Sequence, residues 1–136
     1  MNELQKILLY EAKKAALLSY SPYSKFRVGA AVLAENKIYL GANIENASSN
    51  LGTCAERVAI ANAKMNGAIN IEGIAIYCID GSKDSEGKYI IEESMPCGGC
   101  LQWISELAPN AWIITNALEK AVLITDLLPK PFKFLG

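Results

Sequence analysis

The central segment of the chain has the sequence Ile71-Glu72-Gly73-Ile74-Ala75-Ile76-Tyr77-Cys78-Ile79. Residues 73–79 carry no charge and are rich in β-branched side chains, as expected for a strand that is buried on both faces of a sheet. Good helix formers dominate residues 55–66, which precede this strand. A second helix is predicted from residue 97 to about 107, because Pro96 introduces that segment and Pro109 ends it. A buried strand between two helices indicates an α/β fold.

Further elements are predicted on both sides of this unit. Residues 2–19 form a first helix, since Leu8, Ala12 and Ala15 belong to an apolar stripe with helical spacing. The other predicted elements are a hairpin of strands 28–33 and 37–44 around Ala34-Glu35-Asn36, strands 111–115 and 120–124, and a short helix that Thr125 caps and that ends near Pro129. The order of helices and strands predicts an α/β sandwich, a sheet with helices on its faces. Residues 80–94 are polar, and we expect them to form a surface hairpin around Glu86-Gly87.

Composition limits the possible functions. The 136 residues are enough for one domain, residues 1–136, and 51% of them are hydrophobic. Thirteen basic residues stand against 14 acidic ones, which argues against a nucleic-acid partner. No stretch is long and apolar enough to cross a membrane and the first residues do not resemble a secretion signal, so we expect a soluble, cytoplasmic protein. The chain has no histidine, which excludes the commonest general base and metal ligand.

Two motifs carry the chemistry, Cys54-Ala55-Glu56-Arg57 and Pro96-Cys97-Gly98-Gly99-Cys100. The thiols of Cys54, Cys97 and Cys100 suit a catalytic zinc centre, because three ligands leave the fourth position of a tetrahedral ion free for water. Both motifs begin predicted helices, with Thr53 expected as the N-cap of the first, and the helix dipole favours thiolate there. Glu56, two residues after a ligand, is the predicted proton carrier.

Other interpretations of the cysteines are weaker. Cys97 and Cys100 alone would suit a redox pair, but that function gives Cys54 no reason to stand beside Glu56. Disulfides are disfavoured because no secretion signal is present. Cys78 lies in the middle of the central strand, and we expect a buried structural thiol there. Arg57 is predicted to offset the negative charge of the thiolates by donating hydrogen bonds to the ligand sulfurs, the alternative being an exposed helix residue.

These motifs resemble those of the small zinc-dependent cytidine deaminases. The similarity covers nearly the whole chain and includes Ser21-Pro22-Tyr23-Ser24-Lys25-Phe26, Val28-Gly29-Ala30-Ala31, Asn43-Ile44-Glu45-Asn46-Ala47 and Leu127-Leu128-Pro129. It implies a three-layer α-β-α sandwich around a mixed five-stranded sheet, one Zn²⁺ per chain, a homotetramer, and a nucleoside substrate. It also implies that zinc-activated water attacks C4 of cytidine or deoxycytidine while Glu56 carries the proton to N3 and to the departing amine.

The same resemblance assigns the nucleoside contacts. Asn43 and Glu45 would hold the ribose hydroxyls, Phe26 would pack on the nucleoside, and the N–H of Ala55 would reach the pyrimidine O2. Phe132 resembles the aromatic residue that a neighbouring subunit lays over the base. Packing in the chain's own core is an equally good interpretation of Phe132.

The chain departs from the family pattern in four places. Leu101 stands where arginine usually follows the last cysteine, Ser49 where a tyrosine is common, and Arg27 where many relatives have proline or glutamine. Residues 80–95 form a longer segment than in typical small members, with a lid or subunit contact as an alternative to the surface hairpin.

Three rival functions stay open at this point. A deaminase of another cytosine nucleoside, such as blasticidin S, keeps the chemistry and changes the substrate. A polynucleotide-editing enzyme lacks support, because the chain has no basic surface. A zinc module without catalysis would have no need of Glu56.

Overall fold

The computed structural model describes all 136 residues. The helices are α1 (Glu3–Ala16), α2 (Ala55–Met65), α3 (Ile91–Ser94), α4 (Gly98–Leu107) and α5 (Ile124–Leu127). The strands are β1 (Val28–Ala34), β2 (Lys37–Ala42), β3 (Ile71–Cys78), β4 (Trp112–Thr115) and β5 (Val122–Leu123). None of the helices has the length and apolar content needed to span a bilayer.

The five strands form one mixed sheet in the order β2-β1-β3-β4-β5. β1 is antiparallel to both β2 and β3, so β2 and β3 run in the same direction. β4 is parallel to β3, and β5 closes the sheet as a short antiparallel edge. Two crossover helices, α2 and α4, therefore connect strands of one direction. This arrangement brings the N-termini of both helices to the same edge of the sheet, at the ends of β2 and β3.

The sheet separates two apolar cores. Along β1, Ala30 and Val32 face a core of 17 buried residues that includes α2 and α4, whereas Ala31 and Leu33 face a core of six that includes α1. This alternation follows from the period of two in a strand. The three-layer α-β-α sandwich with a mixed five-stranded sheet, as predicted, is confirmed, and β3 is its buried centre.

Glycine lets helix α1 approach the sheet closely. A Cβ atom at Gly29 would lie 2.0 Å from the carbonyl oxygen of Ala12 and 2.3 Å from the backbone nitrogen of Ala16. The small side chains of α1 that meet β1, including Ala12, Ala15 and Ala16, are all buried. The absence of a side chain at Gly29 therefore allows β1 to contact the backbone of the helix.

Most predicted elements appear with shifts of a few residues. The first helix begins after Asn2, whose side chain accepts a hydrogen bond from the Gln5 N–H while Gln5 reaches back to the Asn2 N–H. The hairpin turn uses Glu35 and Asn36, both with positive φ, which suits a two-residue turn between twisted strands. β5 covers two residues rather than five, since the chain turns into α5 at Ile124.

Two predicted helix caps are wrong. Thr53 pairs with Ile44 through two backbone hydrogen bonds of 2.9 and 3.0 Å, and Cys54 occupies the N-cap of α2. At the other end of the chain, α5 begins at Ile124, so Thr125 lies inside the helix. The Asp126 carboxylate accepts the Leu123 N–H there, at 2.9 Å. In both places a competing backbone or carboxylate partner was available that the local pattern did not reveal.

The polar segment after β3 forms the expected hairpin and then a helix that was not expected. Lys83 and Tyr89 form an antiparallel bridge, and Gly87 has φ +79° at the tip of the turn. The Tyr89 ring meets Tyr77 edge-on, with centroids 6.1 Å apart, which docks the hairpin on the sheet. α3 follows and returns the chain to Pro96, at the edge where α2 and α4 begin.

We predict that Gly29→Ala destabilises the protein by about 3 kcal/mol, since the clash is with helix backbone, which has little freedom to move. The free energy of unfolding in urea measures the effect. Gly98→Ala is the matched control, because a Cβ at Gly98 would meet no atom within 4 Å. Its change should stay within about 0.5 kcal/mol. Equal stability of the two variants would contradict the close contact.

Candidate metal centre and pocket

The three cysteines of the two motifs meet where α2 and α4 begin. Cys54 is the N-cap of α2 and Cys97 is the N-cap of α4, while Cys100 lies in the first turn of α4. Neither N-cap side chain bonds to its own helix, so both sulfurs remain available to a ligand. The positive ends of two helix dipoles converge on the group, and this favours thiolate over thiol.

The sulfur positions suit a metal ion. The Sγ atoms of Cys54, Cys97 and Cys100 all lie within 4.8 Å of one another, and Cys54 and Cys97 are 3.8 Å apart. Sulfurs about 2.3 Å from a tetrahedral zinc ion lie about 3.8 Å from one another. The donor set is three soft thiolates without a fourth protein ligand, so the residues present fit a zinc ion that keeps one position open.

Arg57 is the cation that contacts this group. Its Nη2 lies 3.4 Å from Cys54 Sγ. Hydrogen bonds from Cys100, Arg57 and Cys97 lower the pKa of Cys54 to about 5, against the opposing effect of burial. The Nε atom of Arg57 is buried and has no hydrogen-bond partner. Leu101 packs against the core instead of adding a second cation, so no other basic side chain donates a hydrogen bond to these sulfurs.

Glu56 is the buried carboxylate of the site. It lies in the first turn of α2, next to Cys54, and only 4% of its surface is exposed. Burial raises its pKa to about 7, and the negative charge of Cys54 acts in the same direction. A carboxyl group with a pKa near neutrality can both accept and donate a proton under physiological conditions.

A cavity of about 540 Å³ is lined by Cys54, Cys97 and Glu56, whereas Cys100 does not reach it. The sequence-predicted residues that line it are Phe26, Asn43, Glu45, Cys54, Ala55, Glu56, Arg57 and Cys97. Residues from the loop before β1, the end of β2 and the start of α2 thus share one pocket with the metal motifs. The volume is in the range of small-molecule sites.

Asn43 and Glu45 also hold the wall of this pocket in place. The Asn43 amide donates to the Phe26 carbonyl at 2.8 Å and accepts from the Val28 N–H at 2.9 Å. The Glu45 carboxylate accepts from the N–H groups of Tyr23 and Ser24, both at 3.1 Å, and from the Ser24 hydroxyl. These bonds lower the pKa of Glu45, first through Ser24.

One predicted contact lies elsewhere. Phe132 is 73% exposed, and it does not line the pocket of its own chain. Its carbonyl accepts a hydrogen bond of 2.9 Å from Gln102. Exposure on this scale excludes the interpretation that Phe132 packs in the core of its own chain.

The pocket-lining residues that sequence reasoning did not assign to the site include Cys78, Glu93 and Met95. Cys78 is buried, as predicted, and burial raises its pKa to about 12. Its place at the end of β3 gives it a face toward the cavity as well. Glu93 lies in α3 and Met95 is the residue after it, and no local sequence pattern predicted that helix.

The chain matches a family model described as the cytidine and deoxycytidylate deaminase zinc-binding region over residues 2–116. A cytidine deaminase from Sporosarcina psychrophila is 43% identical over 92% of this chain and 88% of the relative. A cytidine deaminase from Halalkalibacterium halodurans is 35% identical over 94% of this chain and 93% of the relative.

Solved structures agree with these relatives. The crystal structure of cytidine deaminase from Burkholderia pseudomallei has a TM-score of 0.78 at 32% identity, covering 97% of this chain and 100% of that one. The structure of the Mycobacterium tuberculosis cytidine deaminase also gives 0.78, at 29% identity, over 98% of this chain and 100% of that one.

We predict that Cys100→Ser removes the zinc while Cys78→Ala retains it. Cys100 belongs to the sulfur triangle, whereas Cys78 is a buried thiol outside it. Elemental analysis after dialysis against a weak chelator should find one zinc per chain in the wild type and in Cys78→Ala, and almost none in Cys100→Ser. Zinc retained by Cys100→Ser, or lost by Cys78→Ala, would show that the ligand set is wrong.

Proposed function

Since the chain belongs to the cytidine and deoxycytidylate deaminase family, we propose that it hydrolyses cytidine and deoxycytidine to uridine and deoxyuridine with release of ammonia. The observation that carries this function is a buried carboxylate, Glu56, that lines a pocket of about 540 Å³ together with Cys54 and Cys97, two of the three converging cysteines. The relatives named above are cytidine deaminases, and this chain matches most of the length of each. They do not favour the alternative of a blasticidin S-type deaminase.

Zinc, when bound by Cys54, Cys97 and Cys100, supplies Lewis-acid activation of the attacking water. The proton transfers belong to Glu56. Its carboxylate accepts the first proton of the water as the oxygen adds to C4 of the base, and delivers that proton to N3. It then accepts the remaining proton of the C4 hydroxyl and passes it to the departing amine as the C4–N bond breaks, so that water and cytidine yield uridine and ammonia. A pKa of about 7 suits these alternating roles, because neither protonation state is strongly preferred at neutral pH.

The nucleoside is positioned by the opposite wall of the pocket. Asn43 and Glu45 are proposed to hydrogen-bond the ribose hydroxyls, which offer both donors and acceptors to an amide and a carboxylate. Phe26 supplies an apolar face for the nucleoside. Ala55 is the first residue of α2, and an N–H in that position has no partner within its helix. It is therefore free to donate to the pyrimidine O2.

The roles of the chain in the cell follow from this substrate. Deamination of a free cytosine nucleoside to a uracil nucleoside is a reaction of pyrimidine salvage, and we propose this role for the enzyme. We also propose that the enzyme is cytoplasmic. No nucleic acid is needed as a partner, since the chain has 13 basic and 14 acidic residues and thus no excess of positive charge.

We further propose that the enzyme is a homotetramer in which Phe132 covers the base bound by a neighbouring subunit. Phe132 lies in the exposed C-terminal segment, and its side chain is 73% exposed in the single chain. An exposed aromatic ring is available to pack on a base bound by a neighbouring subunit of a symmetric assembly.

We expect Glu56→Gln to retain one zinc per chain and to lower the rate of ammonia release from cytidine by about 100- to 10,000-fold, the usual contribution of a general acid–base. The substrates are cytidine, deoxycytidine and blasticidin S, tested side by side. Glu72→Gln is the matched control, because Glu72 is exposed on β3 and outside the pocket. Undiminished turnover by Glu56→Gln would refute the assignment of Glu56. Silence of the zinc-loaded wild type toward all three compounds would refute the function.

The assembly has a separate test. Light scattering should give the mass of four chains, and Phe132→Ala should raise KM for cytidine about three- to tenfold, given the energy of an aromatic contact. Phe134→Ala is the control, since Phe134 is also an exposed aromatic residue of the same tail. A fully active monomer, or unchanged KM in Phe132→Ala, would contradict the shared site.

A further inference from the structure

An ion pair joins Arg27 to Asp80, the first residue of segment 80–95, and both Arg27 and this segment are predicted from the sequence to depart from the family pattern. Arg27 Nε donates to Asp80 Oδ2 at 2.9 Å and Arg27 Nη2 donates to Asp80 Oδ1 at 3.0 Å. The backbone N–H of Arg27 also donates to Oδ2, at 2.9 Å. A carboxylate that accepts two parallel bonds from one guanidinium is held in a defined orientation.

The charge state of the pair is stabilised by this geometry. The hydrogen bond from Arg27 lowers the pKa of Asp80, and the hydrogen bond to Asp80 raises the pKa of Arg27. The side chains are 41% and 29% exposed. Exposure weakens the electrostatic attraction, whereas the forked geometry preserves the relative orientation of the two side chains. We therefore expect the pair to fix the position of the two segments that it joins more than it adds to the free energy of unfolding.

On the Arg27 side, the pair holds the wall that carries Phe26. Arg27 stands between Phe26 and Val28, and the side chain of Asn43 bonds to the backbone of both. The Arg27 carbonyl accepts the Ile79 N–H at 3.1 Å. Arg27, the neighbour of Phe26 in the chain, is therefore tied to the end of β3 by a backbone hydrogen bond as well as by its forked bond to Asp80.

On the Asp80 side, the pair begins a segment that returns to the pocket. Ser82 donates its N–H and its hydroxyl to the Glu93 carboxylate, which closes the segment on itself. Glu93 and Met95 then line the same cavity as Phe26. Lys83 lies 4.9 Å from the centroid of the Tyr89 ring, which packs on Tyr77. The segment is therefore a docked wall and not a loose loop.

We propose that Arg27 and Asp80 are a positioning pair for the nucleoside, which locks the wall of Phe26 to the wall formed by Glu93 and Met95. This inference rests on the proposed function, because it assigns the pair to substrate binding in the same pocket. Neither residue lines the pocket, so the pair acts through the residues that do. Its loss widens or loosens the site for cytidine while leaving the metal centre and Glu56 in place.

Arg27→Ala and Asp80→Asn test the proposal. Asparagine keeps an acceptor for the Arg27 N–H and removes the charge. Each variant should raise KM for cytidine about three- to tenfold, with kcat within twofold of the wild type and one zinc per chain. Arg27→Lys, which keeps the charge without the fork, should give an intermediate KM. The double variant should be no worse than the worse single variant, because both substitutions remove one interaction.

Lys14→Ala and Glu11→Gln are matched controls. They break an exposed ion pair of 3.0 Å on α1 that lies outside the pocket, and KM should not change. Unchanged KM in Arg27→Ala and Asp80→Asn would overturn the proposal, as would additive effects in the double variant or a fall in kcat with loss of zinc.

The dissociation constant of cytidine in the Glu56→Gln background tests the positioning pair separately from the proposed deaminase function. Weaker binding when Arg27→Ala is added supports the positioning pair without reference to turnover, and equal binding refutes it. A wild-type enzyme that binds cytidine without deaminating it would refute the proposed function alone.

Discussion

The direction of three strands determines where this protein can do chemistry. β2, β3 and β4 run the same way, and the helices between them lie on one face of the sheet. Both crossovers proceed along the sheet in one sense, and the right-handed rule for such connections then puts both helices on the same side. Their N-termini meet at one edge. Three thiols from two distant segments reach one another only because of that convergence.

The site concentrates negative charge around a buried carboxylate. Cys54, Cys97 and Glu56 line the pocket, the buried Cys100 completes the group of three sulfurs, and Arg57 is the one basic side chain that bonds to a sulfur. The two helix dipoles supply the remaining positive potential without adding a titratable group. Burial keeps the proton on Glu56 at a pH where an exposed carboxylate would have lost it. Leu101 packs against the core and supplies no positive charge to the site.

Patterns of residue type predicted the fold and the metal ligands, because both depend on local periodicity and on rare side chains. The central strand and the two helices that follow Cys54 and Cys97 were predicted from such signals. The position of Thr53 and the helix α3 were not. Thr53 bonds to the backbone of Ile44, a partner distant in sequence. α3 has a single turn, and a helix that short depends on tertiary contacts rather than on its own sequence.

The amide of Asn43 has a consequence for the thermodynamics of ligand uptake. Both of its ends are already bonded to the backbone around Phe26, and Glu45 likewise fixes Tyr23 and Ser24. The part of the pocket wall that we propose to face the sugar is thus held by hydrogen bonds before any ligand arrives. Because this segment is ordered during folding, binding of a nucleoside carries no further conformational entropy cost for ordering it. The affinity for a small, neutral molecule then depends on its own contacts, and its association rate is free of a slow rearrangement.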